Sequence, residues 1–176
     1  MLINEELKEF LNKIPSDDYF AYVGLTTKIE NPFRDKFVHY LHIKYINEFV
    51  IAREYSNDDI KRVDLAVLDK KSKEILDSIE FKACYAFDIA KSGKIQYKKD
   101  YKKHELSLNY QLWFVLLSIR INNNTDSIYD NVIKYQKSQN RFLDKIPKSC
   151  DQFDIEVDNI KKWFDKVIEL PEKWCF

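Results

Sequence analysis

The chain has 176 residues, of which 45% are hydrophobic and 15% aromatic, so it can bury one sizeable core and is predicted to form a single domain over residues 1–176. The chain has 29 basic residues (Lys and Arg) and 29 acidic residues (Asp and Glu), so its net charge does not attract nucleic acid. Binding of nucleic acid would need a local concentration of positive charge. The 3 widely spaced cysteines exclude a disulfide framework, and the lack of a signal peptide or a long apolar run predicts a cytoplasmic protein with no membrane segment.

Helices are predicted before the first strand. The first begins with Asn4 as its cap and ends at Pro15. Its apolar face consists of Leu7, Phe10, Leu11 and Ile14. The next begins near Pro32, whose ring suits a first-turn position. Its apolar residues are Phe33, Phe37, Tyr40 and Leu41.

Strands are predicted next, at residues 48–55, 61–68 and 75–84, and they are expected to form an antiparallel meander. The segment from about Lys102 to Leu108 leads into a further predicted helix. The apolar residues of that helix are Leu112, Trp113, Leu116 and Leu117. A last helix is expected from about Asp151 to Leu170, within a helical C-terminal extension over residues 125–176.

Charged residues occupy the polar face of the second and third predicted strands. Because strand side chains alternate between faces, Asp64 lies opposite the face of Val63 and Leu65. In the same way Glu80 and Lys82 share a face of the next strand. Pairing the strands as a hairpin brings Asp64 alongside Glu80, and the carboxylates then converge on a space suited to Mg²⁺ or Mn²⁺.

This arrangement resembles the PD-(D/E)XK nuclease superfamily, in which an acidic residue on one strand is followed by Glu-x-Lys on the next. Here the signature is Asp64 and Glu80-Phe81-Lys82. The segment from Arg53-Glu54-Tyr55 to Arg62-Val63-Asp64 is also similar to the family, although Val63 stands where the family name has proline. The resemblance implies a restriction-endonuclease-like α/β fold: a three-layer core over about residues 28–120, with a mixed central sheet flanked by helices.

The resemblance also implies roles for individual residues. Asp64 and Glu80 would bind the metal, with the Phe81 backbone carbonyl as a further ligand, and Lys82 would assist the attacking water or the phosphate. Glu30, at the start of the helix before the sheet, is the candidate third carboxylate. Gln111 is a candidate supporting residue, placed on the predicted helix after the strands. The implied activity is a metal-dependent endonuclease, with DNA as the favoured substrate and a homodimer as one means of cutting both strands.

A lysine-rich run follows the Glu80-Phe81-Lys82 strand. Its members are Lys91, Lys94, Lys98, Lys99, Lys102 and Lys103. These lysines are candidates for binding the phosphates of nucleic acid, in contacts that depend on salt more than on base sequence. The alternative for the run is a solvated loop and helix face.

Other readings of the same residues remain open. Glu-x-Lys on a strand can be a cross-strand charge arrangement that stabilises a sheet slightly and performs no chemistry. The charged residues on a central strand argue against this, because their desolvation is costly unless they are paired or bind a metal. A second function is a catalytically inactive binding or regulatory protein of the same fold, such as an inhibitor or an immunity partner of a toxin.

Overall fold

The computed structural model describes residues 3–14, 20, 23, 28–58, 61–85, 111–119, 155, 158, 159, 161 and 162. The helices in this part of the chain are α1 (Ile3–Lys13) and α2 (Glu30–Tyr45). The strands are β1 (Phe49–Tyr55), β2 (Val63–Asp69), β3 (Ile75–Tyr85) and β4 (Gln111–Ile119). The predicted α/β class is confirmed by these elements.

The strands form one sheet in the order β1-β2-β3-β4. β1 and β2 pair antiparallel from Phe49 opposite Asp69 to Tyr55 opposite Val63. β2 and β3 are also antiparallel, and their pairing runs from Leu68 opposite Ile75 to Leu65 opposite Ile79, with an irregularity between Val67 and Leu68. The predicted antiparallel meander is therefore confirmed, with strand limits within a few residues of those expected.

The turn between β2 and β3 is closed by the side chain of Asp69. Its Oδ1 accepts hydrogen bonds from the backbone N–H of Lys71 at 2.8 Å and of Ser72 at 2.7 Å. Lys73 has a φ of 63°, in the left-handed region that a short turn uses to reverse the chain. Because turn geometry sets strand register, this turn helps to decide which β3 residue lies beside Asp64.

β2 is a central strand that is buried on both of its faces. Val63, Leu65, Ala66, Val67 and Leu68 are all buried. Near-continuous burial of this kind is typical of a strand that has packing partners on both sides of the sheet. A carboxylate on such a strand is surrounded by protein on most sides.

α2 packs against the sheet through aromatic residues. The rings of Phe33 and Phe37 lie 6.0 Å and 6.4 Å from that of Phe81 on β3, centroid to centroid. Phe10 of α1 contacts both α2 rings, at 5.6 Å and 5.1 Å. Edge-to-face and tilted rings at these distances are favourable arrangements. The aromatic cluster therefore fixes the start of α2, where Glu30 lies, relative to β3.

The structure corrects one predicted element. Leu112, Trp113, Leu116 and Leu117 lie on β4 and not on a helix, so that prediction was wrong. A short, continuously apolar run has no clear period, so its pattern does not distinguish a strand from a buried helix. The strand is favoured by its place beside β3, where the Trp113 Nε1–H donates a hydrogen bond to Asp77 Oδ1 at 3.1 Å. Gln111 is the first residue of β4, so its predicted place on a helix is also wrong.

The predicted start of the first helix is displaced by one residue. α1 begins at Ile3, so Asn4 lies in its first turn and is not its cap. The Asn4 side chain donates from Nδ2 to Glu5 Oε1 at 2.8 Å. Helix limits commonly shift by a residue or two in this way.

The chain divides into compact units. The first comprises Met1–Pro15, Glu30–Lys82 and Tyr97–Leu117, and the second comprises Ser16–Ile29, Ala83–Gln96 and Ser118–Phe176. Both helices belong to the first unit, as do β1, β2 and most of β3 and β4.

Several predictions fall outside the described residues. They include the lysine run at 91–103 and nearly all of the C-terminal extension at 125–176. Within the helix expected from Asp151 to Leu170, the described positions Ile155, Asp158, Asn159 and Lys161 are helical. Neither helix of the described ranges has the length and apolar character needed to cross a bilayer.

Candidate functional site

Asp64 lies where the pairing of β2 with β3 ends. The last paired residues are Leu65 and Ile79, and the backbone N–H of Phe81 then donates to Asp64 Oδ2 at 2.7 Å. The carboxylate thus takes the place that a backbone carbonyl of the neighbouring strand would have in a continued ladder. With only 18% of its side chain exposed, Asp64 is fixed by β3 and shielded from most solvent.

Glu80 and Lys82 are next to this position on β3. The register that pairs Leu65 with Ile79 places Glu80 beside Asp64, on the face opposite Phe81. Glu80 is 8% exposed, and its Oε2 atom is shielded from solvent. Lys82 is half-buried and shares the face of Glu80 by strand alternation. The structure therefore brings Asp64 and Glu80 together, as the sequence predicted.

Glu30 is the first residue of α2 and is half-buried. Its negative charge raises the pKa of Asp64, as does the charge of Glu80. Asp64 is therefore close enough to both Glu80 and Glu30 to interact with them electrostatically, although the three residues lie on different elements.

The pKa of Asp64 is raised from 3.8 to about 6. Burial is the largest cause, because it disfavours the charged form, and the charges of Glu80 and Glu30 act in the same direction. The hydrogen bond from Phe81 and the charge of Arg34 oppose them. A carboxylate held in this state is stabilised by any additional positive charge that reaches it.

Arg34 is a residue of this site that the sequence analysis missed. It lies on α2, its side chain is 5% exposed, and its Nη1 is 3.6 Å from Asp64 Oδ1. The same Nη1 donates to Glu54, and Nε donates to Asp35 Oδ1 at 3.1 Å. Burial lowers the pKa of Arg34, but hydrogen bonds and charges from Asp35 and Glu54 outweigh it, so the pKa is raised.

The available sequence signal for Arg34 was weak. It stands four residues after Glu30 on the same helix face, between the buried Phe33 and Phe37. An arginine so close to an apolar stripe needs acidic partners, because burying an unpaired charge is costly. The partners Glu54 and Asp64 are distant along the chain, so the local pattern does not identify them.

Glu54 connects Arg34 to the edge of the sheet. Its backbone has a φ of 50°, in the left-handed region that costs a residue other than glycine about 1 kcal/mol. Its Oε2 lies 3.3 Å from Nε of Arg62, while its Oε1 accepts the hydrogen bond from Arg34. Glu54, Arg62 and Asp64 thus form one charged network with Arg34.

The donor chemistry of Asp64 and Glu80 fits a hard divalent ion. Mg²⁺ prefers oxygen ligands and is commonly held by one or two carboxylates, with waters and substrate phosphates completing its shell. Among the described residues there is no group of 3 or more His, Cys, Asp or Glu side chains placed to hold an ion. The groups that could hold such an ion are the carboxylates of Asp64 and Glu80, together with the Phe81 carbonyl expected from the sequence.

Other candidate residues have no described geometry. Lys91, Lys94, Lys98, Lys99, Lys102 and Lys103 lie outside the described residues. Gln111 is placed on β4 by its backbone, while its side chain lies outside the described set. No interaction of these residues with the Asp64 site follows from the structure.

Comparison with known proteins identifies no family for this chain. No family model matches the sequence, and no match is found among the curated proteins or among the solved structures. A function therefore has to be inferred from the residues around Asp64 and from their geometry.

Proposed function

We propose that this chain is a metal-dependent nuclease that hydrolyses phosphodiester bonds, with its reaction centre at Asp64, Glu80 and Lys82. The observation that carries the proposal is the placement of Asp64 beside Glu80 on adjacent strands, in surroundings that raise the pKa of Asp64 to about 6. Buried carboxylates held together against their mutual repulsion are a typical arrangement for binding a divalent ion.

Asp64 and Glu80 would supply the carboxylate ligands for Mg²⁺ or Mn²⁺, and the Phe81 carbonyl would add a neutral oxygen. When bound, the ion lowers the pKa of a coordinated water and offsets the charge that develops on the phosphate. The hydrogen bond from Phe81 N–H holds Asp64 Oδ2 at 2.7 Å, which orients the carboxylate before any ligand arrives.

Lys82 would provide a fixed positive charge next to the scissile phosphate. It follows Glu80 by two residues, so strand alternation places it on the same face of β3 as Glu80. A cation there orients the attacking water or stabilises negative charge in the transition state. Glu30, whose charge already acts on Asp64, would tune the charge of the ion site.

DNA is the proposed substrate, and the lysines at 91–103 are proposed to bind its phosphates. The proposed architecture is the restriction-endonuclease-like three-layer core with a helical C-terminal part. A homodimer would place two such sites on a duplex. We place this activity in the cytoplasm, in restriction, repair or defence against foreign DNA.

A binding or regulatory protein that does not cleave is the alternative. It is favoured by the contacts that Asp64 already has, since Arg34 Nη1 lies 3.6 Å from Oδ1 and Phe81 N–H bonds to Oδ2. In this alternative the charges join α2 to the sheet and bind no metal. The nuclease is preferred because Asp64, Glu80 and Lys82 are all present, whereas an inactive relative has no need of the full set.

The test is cleavage of supercoiled plasmid, single-stranded DNA and RNA in Mg²⁺, Mn²⁺ or EDTA. Asp64→Asn, Glu80→Gln and Lys82→Ala are each expected to lose cleavage while keeping the fold. Asp77→Asn is the matched control, because Asp77 is also a buried carboxylate on β3 but accepts a hydrogen bond from Trp113.

Cleavage in metal that persists in Asp64→Asn or Glu80→Gln would exclude this site as the reaction centre. If the wild-type chain cleaves no substrate in any metal, the binding-protein alternative is preferred.

A further inference from the structure

We infer that Arg34 serves as the protein's own counter-cation for the Asp64 carboxylate, and that a divalent ion binding between Asp64 and Glu80 competes with it. This inference rests on the proposed metal site. It assigns a role to a residue outside the nuclease signature, and it predicts that Arg34 limits the affinity of the site for metal.

The placement of Arg34 supports this role. Its side chain is 5% exposed, so its charge is shielded from water and acts strongly on nearby groups. It also lies on α2, the helix that begins with Glu30 and packs on β3 through Phe33 and Phe37. The guanidinium is therefore fixed by packing, and only small movements are open to it.

Arg34 has two contacts within hydrogen-bonding distance and one longer ion pair. Nε is 3.1 Å from Asp35 Oδ1, and Nη1 donates to Glu54, both within hydrogen-bonding range. Nη1 is 3.6 Å from Asp64 Oδ1, which is too long for a hydrogen bond but close for an ion pair. Glu54 and Asp35 anchor Arg34, while Asp64 is attracted to it without being held by it.

This geometry leaves Asp64 Oδ1 able to exchange one cation for another. Oδ2 is held by Phe81 N–H at 2.7 Å, so the carboxylate does not need Arg34 for its orientation. A divalent ion at Oδ1 would bring two positive charges close to the guanidinium, and like charges repel. Coupling between two interactions at one site is reciprocal. Arg34 must therefore reduce the free energy of metal binding by as much as the bound metal reduces the attraction between Arg34 and Asp64.

The test is Mn²⁺ affinity, measured by calorimetry on the full chain at constant pH, which requires no cleavage activity. Arg34→Gln is expected to bind Mn²⁺ roughly tenfold more tightly than the wild type, because the competing charge is gone. Arg34→Lys keeps the charge and is expected to restore an affinity near that of the wild type. Arg53→Gln is the matched control, because Arg53 lies 3.4 Å from Asp35 in the same network, and no ion pair of Arg53 with Asp64 is among the contacts of the described residues.

Results in wild-type protein keep the inference falsifiable if Arg34→Gln does not fold. In an NMR titration with Mg²⁺, the amide of Phe81 reports metal at Asp64, and the Nε–H of Arg34 reports the response of the guanidinium. Both signals are expected to shift together, and neither is expected to shift in Glu80→Gln.

An Arg34→Gln variant that binds Mn²⁺ as tightly as the wild type, or less tightly, would overturn the inference but would not contradict the proposed metal site. A shift of Phe81 with none at Arg34 would do the same. If neither the wild type nor Arg34→Gln binds Mn²⁺, both the inference and the proposed metal site are wrong.

Discussion

Asp64 shows how burial changes the behaviour of a single carboxyl group. Its pKa is raised to about 6 in the folded protein, first by burial, compared with 3.8 for an exposed aspartate. The folded chain therefore holds the proton more tightly than the unfolded chain, so ionisation of Asp64 lowers stability. This loss is absent below about pH 4, grows as the pH rises through 6, and reaches on the order of 3 kcal/mol above it.

The first prediction follows from this loss of stability when Asp64 ionises. In EDTA at about pH 8, Asp64→Asn is expected to exceed the wild type in free energy of unfolding by about 1 to 3 kcal/mol, and at about pH 4 the gain disappears. Urea denaturation at the two pH values measures this difference.

Asp69→Asn is the control, on the same strand. Hydrogen bonds from the backbone N–H groups of Ser72 and Lys71 lower the pKa of Asp69, so the ionised form is the stabilising one. Its replacement is expected to destabilise the protein more at high pH than at low pH. An Asp64→Asn variant that follows the pattern of Asp69→Asn would contradict the account of Asp64.

At the scale of elements, Glu6 joins the two described helices. It is 8% exposed on α1 and accepts hydrogen bonds from α2 residues: Tyr40 at 3.1 Å, Lys44 at 2.7 Å and Tyr45 at 2.6 Å. Burial and the contact with Glu6 raise the pKa of Tyr45. This cluster holds α1 on α2, and α2 carries Glu30 and Arg34.

The second prediction concerns this cluster. Glu6→Ala is expected to destabilise the fold by about 2 to 4 kcal/mol, because it removes the acceptor of the Tyr40 and Tyr45 hydroxyls and leaves Lys44 with Glu9 as its carboxylate partner. Glu5→Ala is the matched control, since Glu5 is exposed and pairs with Lys8 at 3.2 Å, and it is expected to cost less than about 0.5 kcal/mol. Equal losses in urea denaturation would show that Glu6 does not join the helices.

The third prediction belongs to β4. Trp113→Phe removes the hydrogen bond to the buried Asp77, so it is expected to cost about 1 to 3 kcal/mol. Burial already raises the pKa of Asp77, and the bond from Trp113 opposes that rise. The cost should therefore be larger where Asp77 is ionised than in acid. Urea denaturation of Trp113→Phe and the wild type, in acid and at a pH where Asp77 is ionised, measures this cost. A cost that is greater in acid would contradict the prediction.

At the scale of the whole molecule, the sequence was informative where a side-chain period was strong. The alternation of Val63, Leu65 and Val67 predicted β2, and the same reasoning placed Asp64 beside Glu80. The apolar run of β4 has no such period, and a helix was predicted in its place.

Long-range contacts were beyond local pattern. The ion pair between Arg34 and Glu54 joins residues 20 positions apart. The φ of 50° at Glu54 could not be predicted either, because the sequence has no glycine there to indicate a left-handed backbone. Tertiary packing decides both features. The pairing of Asp64 with Glu80 was therefore predictable, whereas the Arg34 side chain that lies beside Asp64 was not.

We propose that Asp64 and Glu80 bind a metal ion with which the protein cleaves nucleic acid. The most direct test of this claim is the cleavage rate of the wild type with Mg²⁺ or Mn²⁺, compared with Glu80→Gln and with the Asp77→Asn control. We expect metal-dependent cleavage that falls at least about a hundredfold in Glu80→Gln and is unchanged in the control. Equal rates in the wild type and Glu80→Gln, or no cleavage by the wild type in either metal, would contradict the claim.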